Sequence, residues 1–346
     1  MSQGTILHLF GWDKKFVLPF RDLIHEHFND GRHKFIVYGD ISREALKPSR
    51  DTAIYPSLLK NFFSLSKAMQ RAEKIILHGL FSSHLLYILT LQPWLLKKCH
   101  WVIWGGDLYV HQAELKDWRW EKNEFFRHRV IPHIGYLVTY VPGDLELARK
   151  WYGAKGKHME CLMYPSNIFT PVELPNVGHT TTTILIGNSA DPSNNHYEVF
   201  DHLKKLEDQN FKLVCPLTYG DKDNAERIGA EGFKQFGDRF VPLLDFMPYE
   251  DYLKVLVEID IAIFAHRRQQ GMGNAITLLG LGKKVYMRSD VTPWAMFNGL
   301  GVKIFDLLKI NLSAMDDSVL KENKLRIKDN FSKVMLIRQL HNIFKD

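Results

Sequence analysis

The sequence contains little cysteine. Only three of its 346 residues are cysteines, Cys99, Cys161 and Cys215, and each lies in an apolar run far from the others. An odd number of widely separated cysteines does not fit a disulfide framework, and their spacing is not that of a zinc site. We therefore expect three buried thiols in a reducing compartment.

Uninterrupted hydrophobic runs of membrane-spanning length are also absent. The longest apolar stretch, residues 75–96, is broken by polar residues and by Pro93. It is better interpreted as a buried strand, a loop and a helix. The first ten residues lack the basic start and apolar core of a secretory signal, so we expect a cytoplasmic protein.

Several common functional signatures are missing. No Walker-type loop, G-x-S-x-G elbow or G-x-G-x-x-G fingerprint follows a predicted strand, which leaves P-loop, hydrolase and dinucleotide-binding functions without support. The basic residues do not form a stripe interleaved with aromatic residues, so we expect no nucleic-acid partner. The formal net charge of +6 is a weak indication of anionic partners such as nucleotide phosphates or an anionic bilayer.

What the sequence does contain is an alternation of strands and helices that favours parallel sheets covered on both faces. The first half predicts strands at Thr5–Phe10, Lys34–Tyr38, Lys74–His78, Trp101–Trp104, Gly135–Tyr140 and His158–Met163. The second half predicts strands at Thr183–Gly187, Lys212–Pro216, Phe240–Leu244, Asp260–Phe264, Lys284–Met287 and Val302–Phe305. The fold class is therefore α/β.

A stretch poor in apolar residues at 165–183 separates the two halves and is the best linker candidate. We predict Rossmann-like, doubly wound domains at 1–170 and 180–312, and C-terminal helices at 313–346 that pack back on the body. Two such domains imply a cleft, with ligands at the carboxyl ends of the strands.

One candidate site follows the first strand of the second half. Residues 187–196 begin with Gly187, which allows a tight turn, and continue with polar side chains and a capping box at Asn195 and Glu198. Free amides at this point suit a phosphate. The residues singled out are Gly187, Asn188, Ser189, Asn194 and His196. An ordinary, well-capped turn is the alternative.

A second cluster lies between the strand ending at Phe264 and an apolar helix. It combines guanidinium and amide donors with the positive end of a helix dipole, as a diphosphate leaving group requires. The residues are Arg268, Gln269, Gln270, Gly271 and Gly273. A solvated basic loop is the alternative.

Two residues of the first half are candidate general bases. Asp107 follows a strand and a Gly-Gly turn beside tryptophans, where its pKa could be raised, although it could equally cap the next helix. His78 follows the preceding strand and is the second candidate, with a structural histidine as the alternative.

The acidic triplet Asp221-Lys222-Asp223 has the form of a motif with which some sugar transferases hold a divalent metal. Because it lies in a polar turn after Tyr219 and Gly220, we expect it to cap a helix instead. No metal and no other cofactor is expected.

Taken together and in order, these segments resemble glycosyltransferase family 56, the TDP-N-acetylfucosamine:lipid II N-acetylfucosaminyltransferases. The main matches are Ile103–Tyr109, Ile186–His196 and Arg268–Gly273, with weaker ones at His78-Gly79, Gly143–Leu145, Pro216 with Tyr219, and Pro293-Trp294. The resemblance covers roughly residues 75–295. It implies a GT-B fold, a TDP-linked amino-deoxy sugar donor, a polyprenyl-diphosphate-linked glycan acceptor of enterobacterial common antigen type, and peripheral attachment to the cytoplasmic face of the inner membrane.

On this hypothesis the clusters at 187–189 and 268–271 bind the donor diphosphate in place of a metal ion, Tyr219 adds to the donor site, and Asp107 or His78 accepts the proton of the acceptor hydroxyl. Alternatives are a GT-B transferase or epimerase for UDP- or GDP-sugars, or a noncatalytic nucleotide-sugar-binding module. A membrane contact is predicted at Leu85, Leu86, Ile88, Leu89, Leu91, Trp94, Leu95 and Leu96 beside Lys97 and Lys98, with burial in the core as the alternative.

Overall fold

The computed structural model describes residues 4–41, 46–172, 181–206 and 208–345. The chain forms two compact units, one made of Met1–Ser166 with Val334–Asp346 and the other of Asn167–Lys333. The N-terminal segment of the first unit thus ends at Ser166, four residues before the boundary predicted at 170. Most of the predicted linker, residues 173–180, lies outside the described part of the chain.

The first unit is built on a seven-stranded parallel sheet with the order β3-β2-β1-β4-β5-β6-β7. Its strands are β1 Ile6–Gly11, β2 His33–Tyr38, β3 Thr52–Tyr55, β4 Lys74–His78, β5 Cys99–Val102, β6 Tyr136–Val138 and β7 Lys157–Met159. In the central register, Leu9 is aligned with Ile36 on one side and with Leu77 on the other. The central strands β1, β4 and β5 are buried at nearly every position, as in a parallel sheet that is covered on both faces.

The helices of this unit are α1 Lys14–His27, α2 Phe62–Arg71, α3 Ser83–Leu91, α4 Gly106–Tyr109, α5 Trp118–Val130 and α6 Pro142–Tyr152. Side chains cap the start of three of them, α1, α3 and α5. Asp13, Ser82 and Asp117 each accept a hydrogen bond from a backbone N–H of the first turn that follows. These caps satisfy donors that a helix leaves unpaired at its start.

The second unit contains a six-stranded parallel sheet with the order β10-β9-β8-β11-β12-β13. Its strands are β8 Thr182–Ile186, β9 Phe211–Pro216, β10 Phe240–Leu243, β11 Ile261–Phe264, β12 Lys284–Met287 and β13 Phe305–Asp306. Its helices are α7 His196–Lys204, α8 Lys222–Phe236, α9 Tyr249–Val257, α10 Met272–Gly280, α11 Thr292–Gly299 and α12 Asp317–Asn330. Leu185 at the centre is aligned with Val214 and Ala262, so β8 and β11 end side by side at one edge.

The C-terminal helix α13, Lys333–Lys345, completes the first unit. Its Phe344 ring packs against His33, and the carbonyl of Ile343 accepts a hydrogen bond from Lys74 Nζ at 2.9 Å. The segment predicted at 313–346 is therefore divided between the two units, because residues 313–333 belong to the second unit and residues 334–346 to the first.

Each predicted strand overlaps an observed one, and the α/β class with two doubly wound parallel sheets is confirmed. The sequence analysis missed β3, a four-residue edge strand that is only partly buried. It also placed one strand at Trp101–Trp104, whereas β5 covers Cys99–Val102, because the chain turns at Gly105 with φ of 83°. The three cysteines are buried free thiols, as predicted.

Candidate functional site

The loop after β8 turns at a glycine that no other residue could replace without strain. Gly187 has φ of 67°, in the left-handed region. A Cβ atom at this position would lie 2.6 Å from Asn194 Oδ1 and 3.1 Å from His196 Nε2. Both the backbone conformation and the lack of space therefore require glycine here.

Asn194 fixes this loop from inside. Its Oδ1 accepts hydrogen bonds from the Asn188 backbone N–H and from His266 Nε2, each at 2.8 Å. Its Nδ2 donates to Ser189 Oγ at 3.0 Å and to the Asp191 carbonyl at 2.9 Å. Because Asn194 is fully buried, it positions the two loops and does not present its amide to a ligand.

The loop after β11 lies directly against the first. Gln270 Oε1 accepts a hydrogen bond from Ser193 Oγ at 2.6 Å, and Gln270 Nε2 is 3.4 Å from Asn188 Oδ1. Arg268 Nη2 lies 3.5 Å from Ser193 Oγ. The structure therefore brings together the two clusters that the sequence singled out at 187–189 and 268–271.

Gly271 and Gly273 place the start of α10 at this point. Gly271, with φ of 65°, is the residue that precedes the helix, and a Cβ there would lie 3.3 Å from Asn188 Oδ1. Gly273 lies in the first turn of the helix and is partly exposed. The N-terminus of α10 is consequently directed at the junction of the two loops, where its dipole favours negative charge.

A third loop, after β9, adds an aromatic side chain. Tyr219 is half exposed, and its hydroxyl oxygen accepts a hydrogen bond from Asn188 Nδ2 at 2.9 Å. The Ala190 backbone N–H donates to the Tyr219 carbonyl at 2.8 Å, which joins this loop to the first. Tyr219, predicted from a weak match alone, thus lies in the same cluster as Asn188.

Three of the predicted binding residues face inward. Ser189, His196 and Gln269 are all buried. Both ring nitrogens of His196 and the Oε1 atom of Gln269 have no hydrogen-bond partner among the described residues. Burial lowers the pKa of His196 to about 4, so the ring is neutral near pH 7.

At this edge of the second sheet, the positive charge of Arg268 is opposed by the carboxylate of Asp191. Burial alone would raise the pKa of Asp191, but hydrogen bonds from Ser193, together with the charge of Arg268, lower it below its usual range. The Asp191 carboxylate accepts from both the backbone N–H and the hydroxyl of Ser193. Burial and the nearby Arg268 lower the pKa of His266 to about 3, so this ring adds no positive charge.

The sequence analysis did not single out Ser193 and His266, although both lie within the segments that it quoted. Ser193 bridges Asp191 and Gln270, and His266 anchors Asn194. The available signal was their position just beyond the ends of β8 and β11. Next to them, a cavity of about 250 Å³ is lined by Pro192, Asn195, His196, Tyr197, Glu198, Asn224, Ile228 and Arg267.

In the first unit, Asp107 is enclosed by donors from its own chain. Its Oδ2 accepts hydrogen bonds from Trp101 Nε1 at 2.7 Å and from the Leu80 N–H at 2.9 Å. Its Oδ1 accepts from the Trp104 N–H at 2.9 Å. Only 1% of the residue is exposed, and burial raises its pKa. This geometry locks the loops that follow β4 and β5, and the role of Asp107 as a base stays a prediction.

His78, the second candidate base, belongs to a buried chain of hydrogen bonds. Its Nδ1 lies 2.7 Å from the Tyr164 hydroxyl, and its Nε2 lies 3.1 Å from His8 Nδ1. His8 Nε2 lies 2.9 Å from His33 Nδ1, and Trp104 Nε1 donates to Tyr164 at the other end. Burial holds the pKa of His78 well below 6.5. The ring is neutral and buried, and its role as a base stays a prediction.

The acidic triplet has the capping role that the sequence predicted. Asp221 precedes α8, and its side chain accepts a hydrogen bond from the Asn224 backbone N–H at 2.8 Å. Asp221 and Asp223 are both exposed. The prediction that this triplet caps a helix is confirmed.

A protein-family model described as "4-alpha-L-fucosyltransferase glycosyl transferase group 56" matches residues 6–295. The structure is also similar to a glycosyltransferase from Rickettsia africae, with a TM-score of 0.65 and 12% identity over 100% of this chain and 98% of that one. The Anabaena protein HepE in complex with UDP and glucose gives a TM-score of 0.67 and 12% identity, covering 98% and 99%.

The lipopolysaccharide outer core galactosyltransferase WaaB, in its apo form, is similar as well, with a TM-score of 0.62 and 11% identity over 98% of this chain and 99% of that one. At such low identities these similarities concern the fold alone. They show that the two parallel-sheet units form a GT-B fold.

Proposed function

The chain belongs to glycosyltransferase group 56 and is a glycosyltransferase; from this premise we propose that it takes its sugar from a nucleotide diphosphate held at the edge of the second sheet. The observation that carries the proposal is the junction of the loops after β8 and β11, where Asn188 and Gln270 lie together beside Arg268. We further propose a TDP-linked amino-deoxy sugar of the 4-acetamidofucose type as donor and a polyprenyl-diphosphate-linked glycan as acceptor, as in bacterial surface polysaccharide assembly.

The donors at this junction match the chemistry of a diphosphate. Arg268 supplies a guanidinium group, Asn188 and Gln270 supply side-chain amides, and α10 begins one residue after Gly271. Guanidinium groups and helix N-termini are the groups that bind phosphate oxygens best. The Asp191 carboxylate, which accepts hydrogen bonds from Ser193, stays ionised and offsets part of the Arg268 charge.

Transfer of the sugar breaks the bond between the anomeric carbon and the β-phosphate oxygen, and negative charge grows on that phosphate. Fixed donors that are already oriented toward it stabilise the transition state without reorganising. We propose that Arg268 and the start of α10 perform this task, in the place that a divalent metal takes in other sugar transferases. The Anabaena HepE complex with UDP and glucose supports a nucleotide donor for this fold.

For the acceptor half of the reaction, we propose that Asp107 and His78 act by positioning. Asp107 holds the backbone at Leu80, which follows β4, and at Trp104, which follows β5. Phe81 and Trp104 pack edge to face at 5.9 Å beyond these strands, and Phe81 is half exposed. This aromatic pair offers an apolar face against which an acceptor sugar ring can pack.

A lipid-linked acceptor calls for contact with a bilayer surface. Of the residues predicted for this contact, Leu85, Leu86, Ile88, Leu89, Leu95 and Leu96 are buried in the core. Leu91 and Trp94 are 66% and 62% exposed, with Lys97 beside them. Within the described residues, no helix combines the length and the apolar character needed to cross a membrane. We therefore propose a peripheral contact centred on Leu91 and Trp94.

Alanine substitutions of two adjacent arginines, one at a time, test the proposed donor site. Transfer is measured with TDP-, UDP- and GDP-linked sugars for the wild type, Arg268→Ala and Arg267→Ala. We expect Arg268→Ala to lower kcat by about 10²–10³, the usual cost of removing one donor that stabilises the transition state. Arg267, whose side chain is 70% exposed and lies 3.9 Å from Glu198, is the matched control and should change little.

Near-normal transfer by Arg268→Ala would overturn the donor-site assignment. A preference for UDP- or GDP-sugars over TDP-sugars would retain the site and replace the proposed nucleotide. Binding of the nucleotide alone, measured by isothermal titration calorimetry, separates loss of donor affinity from loss of turnover.

A further inference from the structure

Three side chains that commonly bind metals converge in the first unit. His111 lies in a 3-10 turn, Val110–Gln112, directly after α4, while Glu124 and His128 lie one turn apart on α5. Their ligand atoms all lie within 4.8 Å of one another. His111 Nδ1 is 2.9 Å from Glu124 Oε2, and His128 Nε2 is 4.0 Å from the same oxygen.

The carboxylate of Glu124 is oriented by its other oxygen. Oε1 accepts hydrogen bonds from the Tyr152 hydroxyl at 3.0 Å and from Arg127 Nη1 at 3.2 Å. These bonds leave Oε2 directed at the two imidazoles. Glu124 is buried, so both of its partners are held by the surrounding packing. Hydrogen bonds of this kind, made to the atoms behind a ligand, orient metal-binding carboxylates.

The first histidine is also held in place. The His111 ring stacks on Trp151, with ring centroids 5.2 Å apart and planes 24° apart, and it meets Tyr152 edge to face. His128 is less enclosed, since 48% of its side chain is exposed against 28% for His111. The cluster thus combines two fixed ligands with a third that can adjust.

We infer that His111, Glu124 and His128 form a binding site for a divalent transition metal of the zinc type. Two imidazoles and one carboxylate, with a water molecule as fourth ligand, are a common tetrahedral set for Zn²⁺. Zn–N and Zn–O bonds of about 2.0–2.2 Å require ligand atoms roughly 3.5 Å apart. The His111–Glu124 distance of 2.9 Å is shorter than this, so their hydrogen bond gives way when the metal binds. The spacing to His128 is wider, and a rotation of this exposed side chain would bring it into range.

Arg127 sets the strength of the site. Its guanidinium group shares Glu124 with the metal and opposes a second positive charge, so the affinity should be below that of a site with an unshared carboxylate. A bound metal would tie the turn at 110–112 to α5. Because this turn follows Asp107 by three residues, the metal would stabilise the loop that Asp107 locks. The role is structural and does not depend on the proposed donor chemistry.

The test is metal binding to the full-length protein after treatment with a chelator. We expect isothermal titration calorimetry with Zn²⁺ to show one equivalent bound, and Co²⁺ to give the visible absorption bands of tetrahedral coordination by nitrogen and oxygen. Bound metal should also raise the melting temperature in proportion to its affinity. None of these readouts involves sugar transfer, so a failure here is separate from a failure of the donor assignment.

Single variants identify the ligands. His111→Ala and His128→Ala should abolish the stoichiometric site, whereas His133→Ala, which removes an exposed histidine just beyond α5, should leave it intact. Tyr152→Phe keeps all three ligands but leaves Glu124 Oε1 with Arg127 as its remaining donor, and we expect it to weaken Zn²⁺ binding by about 10–100-fold.

Folding of each variant is checked by melting curves in the absence of metal; His128, being half exposed, should tolerate alanine best. Two outcomes would overturn the inference. The wild type could bind no stoichiometric Zn²⁺, or the binding could persist unchanged in both histidine variants. In either case the cluster is an ion-pair network alone.

Discussion

Replacing Gly187 with alanine perturbs the centre of the donor site, and its effect can be worked out from two independent costs. A φ of 67° costs a residue with a Cβ about 1–2 kcal/mol. The added atom would also lie 2.6 Å from Asn194 Oδ1. That oxygen cannot move freely, because it accepts hydrogen bonds from Asn188 and His266. Overpacking of this kind adds about 1–3 kcal/mol. We therefore expect a loss of about 2–5 kcal/mol in the free energy of unfolding.

Gly301 provides the matched control. It has φ of 73° and lies in the same unit, yet a Cβ at this position would be 3.7 Å from its nearest neighbour, Arg326 Nε. Gly301→Ala should therefore lose only the conformational term, about 1–2 kcal/mol.

Urea denaturation of both variants measures the difference, and calorimetry with TDP measures donor binding. Since the displaced Asn194 sets the position of Asn188, we expect Gly187→Ala to bind TDP at least tenfold more weakly, while Gly301→Ala binds normally. Equal stability of the two variants, with TDP binding unchanged in Gly187→Ala, would refute the reasoning.

Three further predictions follow from the burial or exposure of single side chains. The pKa of His196 is about 4 in the folded protein, so its ring stays neutral when the ring of the unfolded chain protonates near pH 6.5. Its contribution to stability is therefore present above that pH and is lost as the pH falls toward 4. His196→Leu should reduce the loss of unfolding free energy between pH 7 and 5 by roughly 2 kcal/mol in urea titrations, and an unchanged dependence of that free energy on pH would contradict this. Asp107→Asn must turn its NH₂ toward at least one N–H donor and should cost about 1–3 kcal/mol by thermal denaturation; a silent substitution would remove its locking role. Replacing Leu91 and Trp94 together with serine should lower flotation with anionic phospholipid vesicles, whereas Phe246→Ser, at a still more exposed position, should not; identical flotation of the wild type and both variants would end the membrane assignment.

The fold could be predicted from the sequence because buried parallel strands are nearly continuous apolar runs. Residues 74–78 and 284–287 were predicted to the residue for this reason. Prediction failed where that signal was weak. The strand Thr52–Tyr55 is short, lies at the edge of its sheet and is only partly buried, so its composition resembles a loop. The predicted strand extended to Trp104, two residues beyond the end of β5, because residue type alone does not distinguish a tryptophan in a turn from one in a strand.

The candidate site could be predicted only as a location. Polar residues that follow β8 and β11 were expected to meet, because the carboxyl ends of adjacent parallel strands share an edge. The sequence could not distinguish an amide that faces a ligand from one that holds a loop. Asn188 and Asn194 are six residues apart and chemically identical, yet Asn188 is partly exposed and Asn194 is buried with four hydrogen bonds.

The same distinction explains why both candidate bases are buried. A carboxylate has about four lone-pair sites, and at Asp107 three donors of its own chain bind it while only 1% of the residue is exposed. Two of those donors are the backbone N–H groups of Leu80 and Trp104, in loops at strand ends, where such groups lack sheet partners and would otherwise be buried without a hydrogen bond. The third is the indole N–H of Trp101 within β5. The residue that satisfies them must be an acceptor and must be enclosed. A polar residue at a strand end is therefore selected either to complete the loop or to meet a substrate, and at Asp107 the geometry shows the first of these requirements to be met.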